Sequence, residues 1–533
     1  MMRRLAERPG LVVGLVLAWK VALLVFTAQP VPANDSFFYD GAVVNYLLHG
    51  KYVNPSLAEV LPISGNEVFS AYPPLYHLAL LGWMSVCGTS ALAAMWLHVL
   101  LLGGYMFVVL GIFRRLNVPS VCASLAGLFL FSITFHDRPD TLAHLLGALA
   151  IYAAVRPLTQ ALSPDGGEGV RRTGEGVADG NVKSSWSWLT AAFLLLTLCT
   201  SLQIGAIYLL WAGLLALGAT WLKRIKFPWA PMLVLAGAVA GLIALVQFGF
   251  PLLWEGFQEH ASVTPSFTGW RLPDVAEMLK LVRTAPGILL AGAFLAMFVA
   301  RIRIRKDELA RSPQLFLAMS GLLSAFALIG ATLLIITANT VHIANYLQPV
   351  IVGCSLGAMQ SSFSDLRLGK WPITLFLAAA GLVSVRAIGM TTWGVACSTD
   401  VSYRESVQLV RQQLEQTPPG STVLLSSAYL YEGARRSDLR WIHADWPSRP
   451  AQSETTWEGD ALMRLKPAKL IITQFDYYRR YETVLSHLRE RPDLVEIKLH
   501  NTAKTPSPDS IKSFQRVVQH VAWAAVVVEF SWR

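Results

Sequence analysis

Stretches of about 20 mainly apolar residues recur along the chain, and each is long enough to carry a helix across the hydrocarbon of a bilayer. Eleven of them begin near residues 11, 94, 118, 141, 187, 204, 230, 286, 314, 344 and 371. Only 15% of residues are charged and the mean hydropathy is +0.46, outside the range of soluble domains. The expected fold class is an α-helical polytopic membrane protein with about 11 transmembrane helices and a small C-terminal extracytoplasmic α/β domain. The N-terminus, with Arg3 and Arg4 before the apolar run from Leu11 to Thr27, has the layout of a signal peptide. Gln29-Pro30-Val31-Pro32 is a poor cleavage site, so an uncleaved first span is expected.

The net charge of +10 marks topology rather than a nucleic-acid partner, and none is expected. With a cytoplasmic N-terminus the inner loops hold 19 Lys and Arg residues, and the outer loops before the C-terminal tail hold five: Lys51, Arg138, Arg271, Lys280 and Arg283. This parity requires that the apolar stretch Leu75 to Val86 lie at the interface or dip back rather than span. Residues 1–393 then form the membrane domain, with a first outer loop over 29–93 and a glycine-rich inner loop over 157–186. Residues 394–533 form the outer domain, with helices expected over Tyr403 to Gln416 and Tyr477 to Arg489, and strands over Thr422 to Ser426, Lys469 to Thr473 and Val521 to Phe530. The five cysteines show no CxxC pair or metal-ligand spacing and read as small core residues.

Charged and aromatic residues gather on the outer side. Asn34-Asp35-Ser36-Phe37-Phe38-Tyr39-Asp40 follows the first span, and helical periodicity runs on to Gly50-Lys51-Tyr52. Asp35 reads either as a cap of the following helix or as a general base at the bilayer edge. Tyr72-Pro73-Pro74-Leu75-Tyr76-His77 closes the loop, its prolines setting the start of the interfacial helix. His136-Asp137-Arg138-Pro139-Asp140 returns Arg138 and Asp140 to the same side, either as a local ion pair capping a helix or with Arg138 facing a phosphate. Further on, His342 and Tyr346 stand one turn apart at the outer entrance of a span, placed to meet a lipid head group. Lys20 and Arg386 lie within apolar spans, where charge is costly. Snorkelling accounts for Arg386.

The ordered set Asp35, Tyr39, Ala42, Gly50-Lys51-Tyr52, Tyr72-Pro73-Pro74-Leu75-Tyr76, Arg114-Arg115 and Arg138-Pro139-Asp140 resembles the GT-C superfamily of polyprenyl-phosphate-sugar-dependent glycosyltransferases, in the branch of the protein O-mannosyltransferases and the lipid A aminoarabinose transferase. The likeness covers residues 1 to about 390. Asn345-Tyr346-Leu347-Gln348-Pro349 is similar to the family's Arg-Tyr-x-x-Pro. Two departures stand out: Ser36 follows Asp35 where the family carries a second acid, and Thr200 to Gly205 lacks the family's lysine.

The resemblance implies an inverting glycosyltransferase that moves a hexosyl or pentosyl group from a polyprenyl-phosphate carrier to a lipid, glycan or protein acceptor at the outer face. Asp35 would be the general base, and Asp40, Lys51, Tyr72, Arg138, Asp140, His342 and Tyr346 would bind substrate. Some relatives use a divalent metal; here no tightly held metal and no other cofactor is expected. The family further implies a bacterial inner membrane, with the C-terminal domain outside. A secondary transporter or a non-catalytic scaffold is the alternative, although the paired repeats of transporters are not evident.

Overall fold

The structure is a computed structural model that describes residues 2–27, 36–70, 72–132, 139–162, 179–221, 227–263, 313–335, 341–362, 403–444, 457–491, 494–501 and 524–533, with 374, 378 and 382. Its helices before the C-terminal part are α1 (Met2–Ala6), α2 (Pro9–Thr27), α3 (Ser36–His49), α4 (Pro62–Asn66), α5 (Leu75–Cys87), α6 (Ala91–Arg115), α7 (Ser120–Leu128), α8 (Asp140–Leu162), α9 (Asp179–Leu198), α10 (Leu202–Trp221), α11 (Trp229–Ala244), α12 (Pro251–Val263), α13 (Pro313–Ile335) and α14 (Val341–Ser362). Nine of the eleven expected spans fall on these helices; those expected near 286 and 371 lie outside the described residues. Among the described residues, Pro9–Phe26, Ala91–Arg115, Leu202–Trp221 and Trp229–Gly249 are long and apolar enough to cross a membrane. Helices α8 and α9 run into the expected glycine-rich loop from both sides.

Local chemistry fixes several of these boundaries. Ser90 caps α6, its hydroxyl accepting from Ala93 N at 3.2 Å, and Arg114 and Arg115 fill the last turn, where the helix dipole favours cations. Gly50 ends α3 at φ +72°, a conformation other residues rarely adopt. Between the helices runs a continuous apolar core that includes Tyr105, Ile151, Trp211, Leu317 and Ile351.

Contacts between helix ends sort the bundle into two faces. At one face Arg115 donates to Tyr152 O at 2.6 Å and lies over the Tyr152 ring, and Gln314 donates to Leu116 O at 2.7 Å. At the other, Leu75 N donates to Cys199 O at 3.1 Å, joining the start of α5 to the turn between α9 and α10. Helix α5 rises only about 20 Å over its length, short of the roughly 30 Å hydrocarbon thickness. Its far end also stays at this second face, where Trp83 Nε1 donates to Ala93 O at 2.7 Å.

The C-terminal part contains α15 (Tyr403–Glu415), α16 (Leu430–Ala434), α17 (Trp457–Leu465) and α18 (Glu482–Leu488) around β1 (Thr422–Leu425), β2 (Arg440–His443), β3 (Lys469–Thr473), β4 (Leu494–Asn501) and β5 (Ala525–Trp532). The sheet order is β2-β1-β3-β5-β4, parallel across β2, β1 and β3 and antiparallel from β3 through β5 to β4. Alternation gives each strand two buried faces. Leu424, Leu470, Ile472, Val526 and Val528 pack with residues of α17 and α18. Val423, Leu425, Ile471 and Val527 belong instead to an apolar cluster that continues through α15 and α16 into α3, α5 and α6. The sheet is thereby seated on the second face of the bundle.

Candidate active site

Helix α3 lies at the centre of this seating, its residues from Ser36 to Asn45 all buried. Asn54 locks its first turn, donating to Phe37 O while accepting from Ser56 Oγ at 2.7 Å. That contact is possible because residue 41 is glycine: a Cβ there would fall 2.5 Å from Asn54 Nδ2. The turn carries Asp40 inward.

Asp40 is completely buried and receives two tyrosines from distant parts of the chain. Tyr431 of α16 donates to Oδ2 at 2.6 Å, and Tyr76 of α5 donates to Oδ1 at 3.2 Å. The Tyr76 oxygen is also 3.1 Å from His98 Nε2 on α6. His98 Nδ1 is buried with no hydrogen-bond partner among the described residues. A proton placed on Nδ1 would be an unmet donor, so the least costly arrangement puts it on Nε2. His98 then donates to Tyr76, and Tyr76 to the Asp40 carboxylate. The charge of Asp140, the buried first residue of α8, acts on the same imidazole. Five parts of the chain thus contribute to these surroundings: α3, α5, α6, α8 and α16.

An aromatic wall adjoins it. Tyr72, half-buried, lies 4.4 Å from Tyr39 between ring centroids and 5.2 Å from His260 of α12, with Phe38 completing the group. Next to it the Tyr52 hydroxyl and His77 Nδ1 lie 2.6 Å apart, within hydrogen-bond distance. Burial pushes the His77 imidazole down to about 4, with the Tyr39 backbone opposing, and pushes the Tyr52 phenol up. At neutral pH the pair is a neutral imidazole hydrogen-bonded to a protonated phenol.

Of the residues expected from the sequence, Asp40, Tyr72 and Asp140 are brought together here. Lys51 is exposed, and its carbonyl accepts from Asn45 Nδ2 at 2.8 Å. Asp35 and Arg138 lie outside the described residues, each within a few residues of the cluster in the chain: α3 begins immediately after Asp35, and Asp140 follows Arg138 by two. His342 and Tyr346 lie in the first two turns of α14, their side chains outside the described part. Lys20 is buried on α2 with its ammonium 5.6 Å from the Trp19 ring centroid. Sequence reasoning passed over His98, His260, Tyr431 and His443. The signal for His98 was the one that flagged Lys20, an ionisable residue inside an apolar run; Tyr431 and His443 carried none. Among the described residues no three of His, Cys, Asp or Glu are placed to hold a metal ion.

No family model and no curated protein matches the sequence. Among solved structures, ArnT from Cupriavidus metallidurans bound to undecaprenyl phosphate matches with a TM-score of 0.51 at 13% identity, over 97% of this chain and 97% of that one. The chain has the GT-C fold. The apo form of the same ArnT aligns over the same shares at 14% identity with a TM-score of 0.48. The Archaeoglobus fulgidus oligosaccharyltransferase in its apo form aligns at 11% identity with a TM-score of 0.46, over 90% of this chain and 71% of that one. The ArnT likeness runs the full length and so includes the C-terminal sheet.

Proposed function

We propose that the chain is an inverting glycosyltransferase of the membrane, moving a sugar from a polyprenyl-phosphate carrier to an acceptor at the outer face, with Asp35 as general base. The observation that carries this reading is the convergence of Asp40 and Asp140 with tyrosine and histidine donors at one end of a GT-C bundle. Asp35 immediately precedes α3, which carries Asp40, and Arg138 precedes Asp140 by two residues in the sequence. The ArnT structure holding undecaprenyl phosphate supports a carrier of the same chemical class.

In the proposed step the Asp35 carboxylate takes the proton of an acceptor hydroxyl. The new oxygen bond forms at the anomeric carbon as the bond to the carrier phosphate breaks, and the phosphate keeps the bonding pair. Arg138 offsets the charge growing on that phosphate, with Lys51 contributing from the loop surface and His342 and Tyr346 fixing the carrier. Tyr72 offers an aromatic face to the sugar, and Asp40 and Asp140 hold its hydroxyls or their donors. The membrane is a bacterial inner membrane, with residues 394–533 outside contributing to acceptor choice. The acceptor is a lipid, glycan or protein hydroxyl, and the product belongs to the cell envelope. No tightly held metal takes part.

The test is transfer of radiolabelled sugar from a panel of polyprenyl-phosphate sugars by the purified protein in lipid. Wild type and Asp35→Asn are compared at matched expression. Transfer that falls by two or more orders of magnitude in the variant supports the reading. Equal transfer by both removes Asp35 as the base, and no transfer from any donor removes the glycosyltransferase reading in favour of transport or scaffolding.

A further inference from the structure

The C-terminal part does more than cover the bundle, because two of its side chains reach the first turns of α3. Tyr431 donates to Asp40 at 2.6 Å, with both side chains buried and 391 residues apart in the chain. The ring of His443, at the end of β2, stacks on Phe37 with centroids 3.6 Å apart and 17° between planes, while its Nε2 lies 2.5 Å from Ser427 Oγ. The first turns of α3 are therefore gripped from three directions. Tyr76, backed by His98, holds them from the bundle; Asn54 holds them from the loop; Tyr431 and His443 hold them from the sheet.

A short helix that enters directly from a loop has unsatisfied backbone donors in its first turn and little intrinsic rigidity. Its orientation is set by what packs on it. The Tyr431 hydroxyl bears on Asp40 in two ways. It fixes one of the two carboxylate oxygens in space, and by donating a hydrogen bond it favours the ionised form. Removing the hydroxyl leaves a buried carboxylate with one tyrosine fewer, and that is a change of charge balance as well as of packing.

We propose that Tyr431 is a positioning residue of the candidate site: through Asp40 it fixes the first turns of α3, so that the cluster around Asp40 is complete only with the C-terminal part seated. This rests on the glycosyltransferase reading above for its consequence in catalysis, but the link itself can be read without any substrate.

The experiment compares wild type with Tyr431→Phe, which keeps the ring and removes only the hydroxyl, in the full chain in lipid. Local amide exchange over residues 37–44 reads the link. It should quicken at least tenfold in Tyr431→Phe, with the strands β1, β3 and β5 unchanged. Transfer from the panel of polyprenyl-phosphate sugars reads the consequence. We expect kcat to fall about tenfold or more with KM for the carrier nearly unchanged, and the acid limb of the pH profile to move to higher pH as Asp40 loses a donor. In an Asp40→Asn background the same substitution should no longer move the acid limb, because the titrating carboxylate through which it does so is gone. A merely structural tyrosine would lower the yield or thermal stability without moving the pH limb or depending on residue 40. Wild-type exchange, or a wild-type kcat and pH profile in Tyr431→Phe, overturns the proposal. If exchange quickens locally but the wild type transfers sugar from no donor, the link stands and it is the glycosyltransferase reading that fails.

Discussion

Two carboxylates between α2 and α5 each meet side chains of the C-terminal part, and they differ in almost everything else. Asp40 is completely buried and accepts from two tyrosines, one from the bundle side and one from the C-terminal part. Glu59 is met by Arg440 and Arg464 of the C-terminal part, whose side chains are 55% and 51% exposed. The rim therefore has the formal charges and the centre has the burial. Electrostatic attraction between half-exposed charges is largely answered by water, whereas a buried carboxylate stripped of its donors recovers nothing from solvent. Seating of the sheet should accordingly depend on the uncharged donors at the centre more than on the ion pairs at the edge.

The strongest attempt to break this comparison is Asp40→Ala. It leaves the Tyr431 and Tyr76 hydroxyls buried without their acceptor and opens a small cavity, for an expected loss of roughly 4 kcal/mol. Thermal unfolding in detergent, followed by near-ultraviolet signals from the tyrosines, measures it. A change indistinguishable from that of a surface substitution would mean that the centre does not hold the interface.

Acid should loosen the same region. His77 titrates near 4 in the folded protein because burial disfavours its charged form, against about 6.5 when unfolded. The unfolded chain takes up the proton first as pH falls, so stability is full above about pH 6.5 and declines toward pH 4, by on the order of 3 kcal/mol. Replacing His77 by Gln should flatten this part of the stability curve. A slope unchanged by the substitution would assign the acid sensitivity to another group.

Next in size is Gly41→Ala. The added carbon would enter the space of Asn54, a fully buried side chain already bonded to Phe37 and Ser56. Overpacking of this kind costs about 2 kcal/mol. The lost stability should be accompanied by faster amide exchange in the first turns of α3.

The sequence revealed the bundle better than it revealed this interface, for reasons visible in particular residues. Long apolar runs such as Ala91–Arg115 declare a helix by composition alone. Asp140 stood out as part of an ordered motif, and Asp40 as the second acid of the segment that follows the first apolar run. Their common surroundings did not, because the contacts that join them, Tyr76 to His98 and Tyr431 to Asp40, are set by tertiary packing and leave no trace in local spacing. In the C-terminal part, β1 and β3 were legible as apolar runs and α15 as a helical pattern. Strand β2 has only four residues, two of them Arg440 and His443, too few to show a period. Strand β4 was legible and missed: Val495, Ile497 and Leu499 alternate with Glu496, Lys498 and His500.

The rim supplies the smallest effect and the sharpest control. Glu59→Gln removes the charge that Arg440 and Arg464 share while keeping an oxygen for either to reach. Because both guanidinium groups are half exposed, each regains water as it loses the carboxylate, and the net cost should stay below about 1 kcal/mol. What cost there is should vanish in 1 M salt, where screening reaches only about 3 Å. Transfer by the variant should match wild type at all salt concentrations, because the Tyr431–Asp40 bond does not involve Glu59. A loss of several kcal/mol, or a drop in transfer comparable to that of Tyr431→Phe, would reverse the order of centre and rim. Glu59 would then be the residue that seats the sheet, with the buried tyrosines following its lead.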